Sequence, residues 1–156
     1  MQAPQMQLER EWAIWLHSIA SWSVMATLTF KRCSSNGVVF SHPVFTNALR
    51  HLVRLINCDL FGKKRTNKGW TVACAVTLDY GTYEDHPHAH ILLAAPSGVS
   101  YEELCAVIDR AADRTRTVNR QRDFRRYTDL RGSEYSIKHG TDRMVTELLT
   151  HAYPGT

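Results

Sequence analysis

Two histidines one residue apart, His88-Ala89-His90, follow the carboxylate of Asp79 in this chain. In an extended strand alternate side chains leave the same face, which puts the two imidazoles side by side, about 7 Å apart. Neutral imidazoles bind borderline divalent metals, and a carboxylate adds a hard oxygen ligand. A cation held by three protein ligands keeps positions open for water and for phosphate oxygens. The plainer reading is a pair of exposed polar side chains on an alternating strand. His86 has the same parity and could compete as a ligand, but the turn before the strand argues against it.

A second group is Tyr135-Ser136-Ile137-Lys138. Residues three apart on a helix share a face, so the Tyr135 phenol and the Lys138 ammonium would lie together. A phenol is a poor nucleophile at neutral pH until a cation or a metal-bound oxygen lowers the barrier. The alternative is a half-exposed tyrosine beside a solvated lysine.

The elements that must position these groups follow from hydrophobic periodicity. Leu8, Trp12, Trp15, Leu16 and Ile19 recur at helical spacing, which predicts an amphipathic helix over 7–20. Trp12, Trp15 and Trp22 are expected in the core. Residues 22–31 read as a strand, and Val38-Val39-Phe40 as a short one after the Ser34-Gly37 turn. Ser41-His42-Pro43 opens a helix whose apolar face is Phe45, Leu49, Leu52, Val53 and Ile56. Lys63, Lys64, Arg65 and Lys68 lie in a basic loop over 62–69. Alternation from Trp70 to Asp79 predicts a long strand that forms a hairpin with the histidine strand over 87–95, which would set Asp79 within reach of both imidazoles. A helix follows with Ser100 as cap and Glu103 at the capping-box position. The stretch 114–131 is irregular, with a strand expected at about 124–130, and a last helix is expected over 133–149 with Gly140 as its weak point. Ile137, Met144, Val145 and Leu148 would form its core stripe. Strands interleaved with helices and joined partly by hairpins predict an α+β domain on a central antiparallel sheet of about five strands.

Together the two groups resemble the HUH endonuclease superfamily, specifically the single-tyrosine initiators (Rep proteins) of rolling-circle plasmids and single-stranded DNA viruses. Ala26-Thr27-Leu28-Thr29-Phe30 is similar to the family's first motif, a strand of alternating Thr and apolar residues. His88-Ala89-His90 matches the second, preceded by Asp79-Tyr80-Gly81 and Pro87, with Asp in place of the more usual Glu. Tyr135 and Lys138 match the third, Tyr-x-x-Lys. The resemblance spans about residues 22–140. It implies a palm architecture like that of RRM domains and a nickase dependent on Mn²⁺ or Mg²⁺, held by Asp79, His88 and His90. Tyr135 would attack the scissile phosphate of single-stranded DNA and leave a 5′-phosphotyrosine. Lys138 would stabilise the developing charge or steer the tyrosine. The site could also rejoin ends without a nucleotide cofactor. The substrate the resemblance implies is single-stranded DNA at a replication origin, linear or in a stem-loop, with a host helicase or polymerase as further partners. His139 and Asp142 lie near the tyrosine without an assigned role.

Alternatives remain. Transposases of the superfamily usually carry Gln downstream of the tyrosine where Lys138 stands, and relaxases tend to be longer, with three metal histidines and an N-terminal tyrosine. From a different class come a non-catalytic RRM-like nucleic-acid binder and a zinc-dependent hydrolase. No Gly-x-x-x-x-Gly-Lys-Ser/Thr phosphate cradle occurs, so no helicase domain is expected. The chain reads as a single nuclease domain over 1–156, with the first helix as an appendage, either a nuclease-only initiator or an excised domain.

The bounds agree with this. A chain of 156 residues, 44% hydrophobic, can bury one core. Its net charge of +4 favours nucleic acid only weakly, but the distribution is uneven. Arg120, Arg122, Arg125, Arg126 and Arg131, with Phe124 and Tyr127 interleaved, form one candidate DNA contact. Lys63, Lys64, Arg65 and Lys68 form another. Asp113, Asp123 and Asp129 offer the alternative of a partly neutralised solvated face. Cys33, Cys58, Cys74 and Cys105 are scattered without a Cys-x-x-Cys pair and read as reduced thiols. No apolar run is long enough to span a bilayer and no signal pattern opens the chain, so a cytoplasmic location is expected.

Overall fold

In a computed structural model the described residues are 3–81, 86–138 and 141–154. The elements run α1 (Ala3–Ser18), β1 (Val24–Phe30), α2 (His42–Phe61), α3 (Lys63–Asn67), β2 (Cys74–Asp79), β3 (His88–Leu93), α4 (Tyr101–Asp113), β4 (Val118–Arg126) and α5 (Leu130–Ser136). Single 3₁₀ turns follow at Thr141–Arg143 and Thr146–Leu148.

The fold is α+β, with helices on an antiparallel sheet of four strands in the order β2-β3-β1-β4. Leaving out α1, α3 and α5, the chain traces β-α-β-β-α-β, the split arrangement in which β3 inserts between β1 and β2. β2 and β3 form the expected hairpin, with Asp79 opposite His88 and Thr77 opposite His90. Residues 82–85 of their connection lie outside the described residues.

Strand alternation divides the core in two. Val24, Ala26, Leu28, Val76, Leu78, Ala89, Ile91 and Leu93 face α2 and α4, whose stripes Phe45–Leu49–Leu52–Ile56 and Leu104–Ile108–Ala111 are buried against them. Met25, Ala73, Ala75 and Leu92 face α1 and α5, packing on Ala13, Leu16, Trp22 and Ile137. Ser100 caps α4 in a capping box with Glu103, as the spacing predicts.

Several expectations are corrected. The last helix does not run to 149: α5 ends at Ser136, and the chain beyond it lies along the open edge of β2. There Val145 N–H donates to the Val76 carbonyl (2.8 Å), and Cys74 and Thr150 exchange backbone bonds (3.0 and 2.9 Å). An unpaired edge offers backbone partners that a helix weakened at Gly140 cannot outbid. This irregular tail pairs with β2 where a helix was expected, and of the about five strands expected the short one over Val38–Phe40 is not part of the sheet. Val145 and Leu148 consequently join the α2/α4 core, while Ile137 and Met144 join the other. The last strand covers Val118–Arg126, earlier than 124–130; as an edge strand it needs little apolar content. Val39 makes only an isolated bridge, to Cys33. The basic loop after Gly62 is one short helix, α3.

On α1, only the C-terminal half reaches the sheet and α5. Ala13 and Leu16 are buried and Trp12 partly so, while Leu8 and Trp15 are exposed, contrary to the core placement expected for Trp15. Among the described residues no helix is long and apolar enough to cross a membrane.

Candidate metal centre and its tyrosine

The α1/α5 face of the sheet is apolar at one end and polar at the other. Register sets two polar rows across it: Asp79–His88–Thr29, then Thr77–His90–Thr27. Asp79, His88 and His90 each offer a ligand atom, and these atoms lie within 4.8 Å of one another. Asp79 is 4% exposed and His90 1%. The imidazole centroids are 5.0 Å apart with the planes nearly perpendicular (81°).

Neighbouring bonds orient the donors. His88 Nδ1 lies 2.7 Å from the His86 carbonyl; a carbonyl only accepts, so Nδ1 carries the proton and Nε2 the lone pair. His90 Nδ1 is 3.1 Å from the Thr27 hydroxyl, and donation to that oxygen gives His90 the same tautomer. Asp79 Oδ1 accepts the Gly81 N–H at 2.9 Å, and Gly81 has φ +74°, a conformation that favours glycine. Two imidazoles with supported lone pairs and one carboxylate form a donor set that fits a divalent cation. His86 contributes its carbonyl, and its exposed side chain is not in the triad.

Tyr135 comes to this face from α5. Its ring packs edge-on against His90, centroids 4.9 Å apart at 72°. The Lys138 Nζ lies 3.9 Å from the centroid of the Tyr135 ring, although Lys138 is beyond the helix end. Tyr135 is 40% exposed, so a ligand can reach it from solvent.

The short helix is held at both ends. Asp129 caps it by accepting the Arg131 N–H (3.0 Å). Near its start the Tyr127 hydroxyl bonds Ser133 Oγ (2.6 Å) and His17 Nδ1 (2.7 Å), tying α1 to α5. Burial raises the Tyr127 pKa above its ordinary value. At the other end Thr77 Oγ1 donates to the Ser136 carbonyl at 2.8 Å in a buried setting. Sequence reasoning missed both threonines as partners of the site. Their parity was visible, but which strand lies beside which was not.

The expected DNA contacts are dispersed. Arg122 and Arg126 belong to the α4 side: Arg122 is clamped by Asp109 (2.7 Å) and Asp113 (2.8 Å), and Arg126 pairs with Glu102 (2.5 Å) and covers the Tyr101 ring. Arg125 shares the histidine face and pairs with Asp123 (2.6 Å). Arg120 and Arg131 are exposed on β4 and α5. Lys63, Lys64, Arg65 and Lys68 sit at the opposite end of β2 from Asp79, with Arg65 packed on Trp70 (4.7 Å). Asp142 is exposed beside a 340 Å³ pocket on the β2 edge that also takes in His42 and Tyr80. His139 lies outside the described residues.

Compared with protein-family models, curated proteins and solved structures, the chain returned no match.

Proposed function

We propose that this chain is a metal-dependent single-stranded DNA nickase and joining enzyme of the HUH type, acting as a rolling-circle initiator. The observation that carries the proposal is the meeting of Tyr135, Lys138 and the Asp79–His88–His90 triad on one sheet face, with the Tyr135 ring against His90. Two imidazoles beside one carboxylate suit Mn²⁺ better than the all-oxygen preference of Mg²⁺. When bound, the cation supplies polarisation of the scissile phosphate and offsets its charge.

The chain's own residues do the rest. Asp79, His88 and His90 hold the cation, their donors turned by Gly81, the His86 carbonyl and Thr27. The Tyr135 oxygen attacks phosphorus and its proton passes to solvent. The P–O3′ bond breaks, the 3′-oxygen takes up a proton, and the phosphate stays on the phenol as a 5′-phosphotyrosine. One phosphate ester replaces another, so rejoining needs no nucleotide cofactor. The Lys138 ammonium offsets negative charge at the phenolate and the phosphate.

The test is incubation of the full chain with a pool of single-stranded oligonucleotides and Mn²⁺, looking for a protein–DNA band that survives boiling in detergent. Tyr135→Phe is expected to abolish the band and leave binding within about threefold, while His88→Ala with His90→Ala lowers nicking by at least about 100-fold, a large share of what nucleophile and electrostatic catalysis supply. Binding that ignores divalent metal, with no covalent product from the unaltered chain, would instead identify a non-catalytic nucleic-acid-binding domain, a reading the β-α-β-β-α-β topology also accommodates.

A further inference from the structure

A groove of about 1280 Å³ opens at the polar end of the sheet, between the turn at Cys33–Ser35 and the corner where α4 passes into β4. Lys31, Arg116 and Arg120 line it, and all three are exposed. Among the described residues none of these three side chains is in an ion pair, whereas Arg122, Arg125 and Arg126 each face a carboxylate. The groove's own acids, Asp109 and Asp113, are both occupied by Arg122. With Arg122 counted, four cations and two acids line the groove, so its net charge is cationic.

The groove lies on the α4 side of the sheet, while the metal row lies on the other face at the same polar end, where β1 runs out into Lys31. Thr29, the register partner of His88, donates its hydroxyl to the Gln121 carbonyl at 2.8 Å, next to Arg120. Two strand spacings, about 10 Å, separate His88 from this part of β4. By contrast, the α3 lysines precede β2, up to about 30 Å of extended chain from Asp79.

We infer that this groove holds the phosphate backbone of the single strand flanking the scissile phosphate, with Lys31, Arg116 and Arg120 as its contacts. The inference rests on the nickase reading for its substrate and adds where the strand leaves the site. Three cations without acid partners among the described residues favour a run of phosphates.

The experiment compares two triple variants of equal charge loss, Lys31→Ala/Arg116→Ala/Arg120→Ala and Lys63→Ala/Lys64→Ala/Lys68→Ala. Each is titrated with a twelve-nucleotide single strand in EDTA over a series of salt concentrations (the oligonucleotide length is about the site size of a single-strand binder). Each lost phosphate contact removes about 0.7 from the slope of log K against log salt. The groove triple is thus expected to flatten the slope by about 2 and weaken binding about 100-fold at 0.1 M salt. The α3 triple is expected to lose less than about threefold. Equal losses in the two variants, an unaffected groove triple, an equal loss on duplex DNA, or no binding by the unaltered chain would each overturn the inference. The Tyr135-dependent covalent band is scored separately in Mn²⁺. If the band forms while the groove triple binds normally, the groove fails and the nickase reading stands; if the band is absent while the triple loses binding, the reverse holds.

Discussion

His90 has a threonine on either side in its sheet row, and the two do different work. Thr27 reaches the imidazole Nδ1, while Thr77 reaches the carbonyl of Ser136, the residue after the tyrosine. Thr77→Val keeps the shape and strands a buried carbonyl, so it is expected to cost about 1–2 kcal/mol in chemical denaturation. Thr27→Val is expected instead to leave stability nearly unchanged and weaken Mn²⁺ binding about 10-fold by calorimetry, because it removes the support of a ligand rather than of a helix. A result in which both variants lose the same property would refute this division of labour. The histidine pair and Asp79 were readable because strand parity needs only local sequence. The threonines were not, since their roles depend on which strands are neighbours. Cys74 falls in the apolar alternation of its strand, and its burial pushes its pKa up to about 12, while Cys33 is exposed.

At the scale of elements, the helix carrying the tyrosine is short and depends on its surroundings. Its seven residues cannot sustain a helix alone. Gly132 lies so close to Tyr127 that an added Cβ would sit 2.5 Å from the ring. Gly132→Ala should therefore displace Tyr127, break its bonds to His17 and Ser133, and lower stability by about 1 kcal/mol or more despite the better helix propensity of Ala. In a Tyr127→Ala background the same change should stabilise, because only the propensity remains. A double-mutant cycle in denaturant reads the difference, and additivity would refute the contact. α1, expected as an appendage, is part of this brace through His17. Long elements with strong periodicity, α2 and α4 above all, were legible, including the α4 capping box. The tail beyond α5 was not, since its path is set by an open strand edge created far away in sequence. β4 was misplaced because an exposed edge strand rich in Arg carries little apolar alternation.

For the whole molecule, one sheet serves two purposes. Its α2/α4 face is apolar over β1, β2 and β3, while its α1/α5 face is apolar at one end and carries the polar rows at the other. A site anchored on three strands at once should couple metal binding to global stability. At about 100 times its dissociation constant, Mn²⁺ is expected to add about 2.7 kcal/mol, raising Tm by about 5–10 °C for a domain of this size. The increment should vanish in His88→Ala with His90→Ala. A Tm that rises equally in that variant would place the cation elsewhere.

Local sequence was enough for the α+β class, the hairpin that joins Asp79 to His88, the parity of the two histidines and the faces of the long helices. These depend on periods of two and 3.6 residues and on turn chemistry, all local. Folding in three dimensions sets Tyr135 against His90, pairs Arg122 and Arg126 with α4 carboxylates, and gathers Lys31, Arg116 and Arg120 in one groove. Those are meetings of distant segments, and they depend on strand order and on competition for partners that no local pattern encodes.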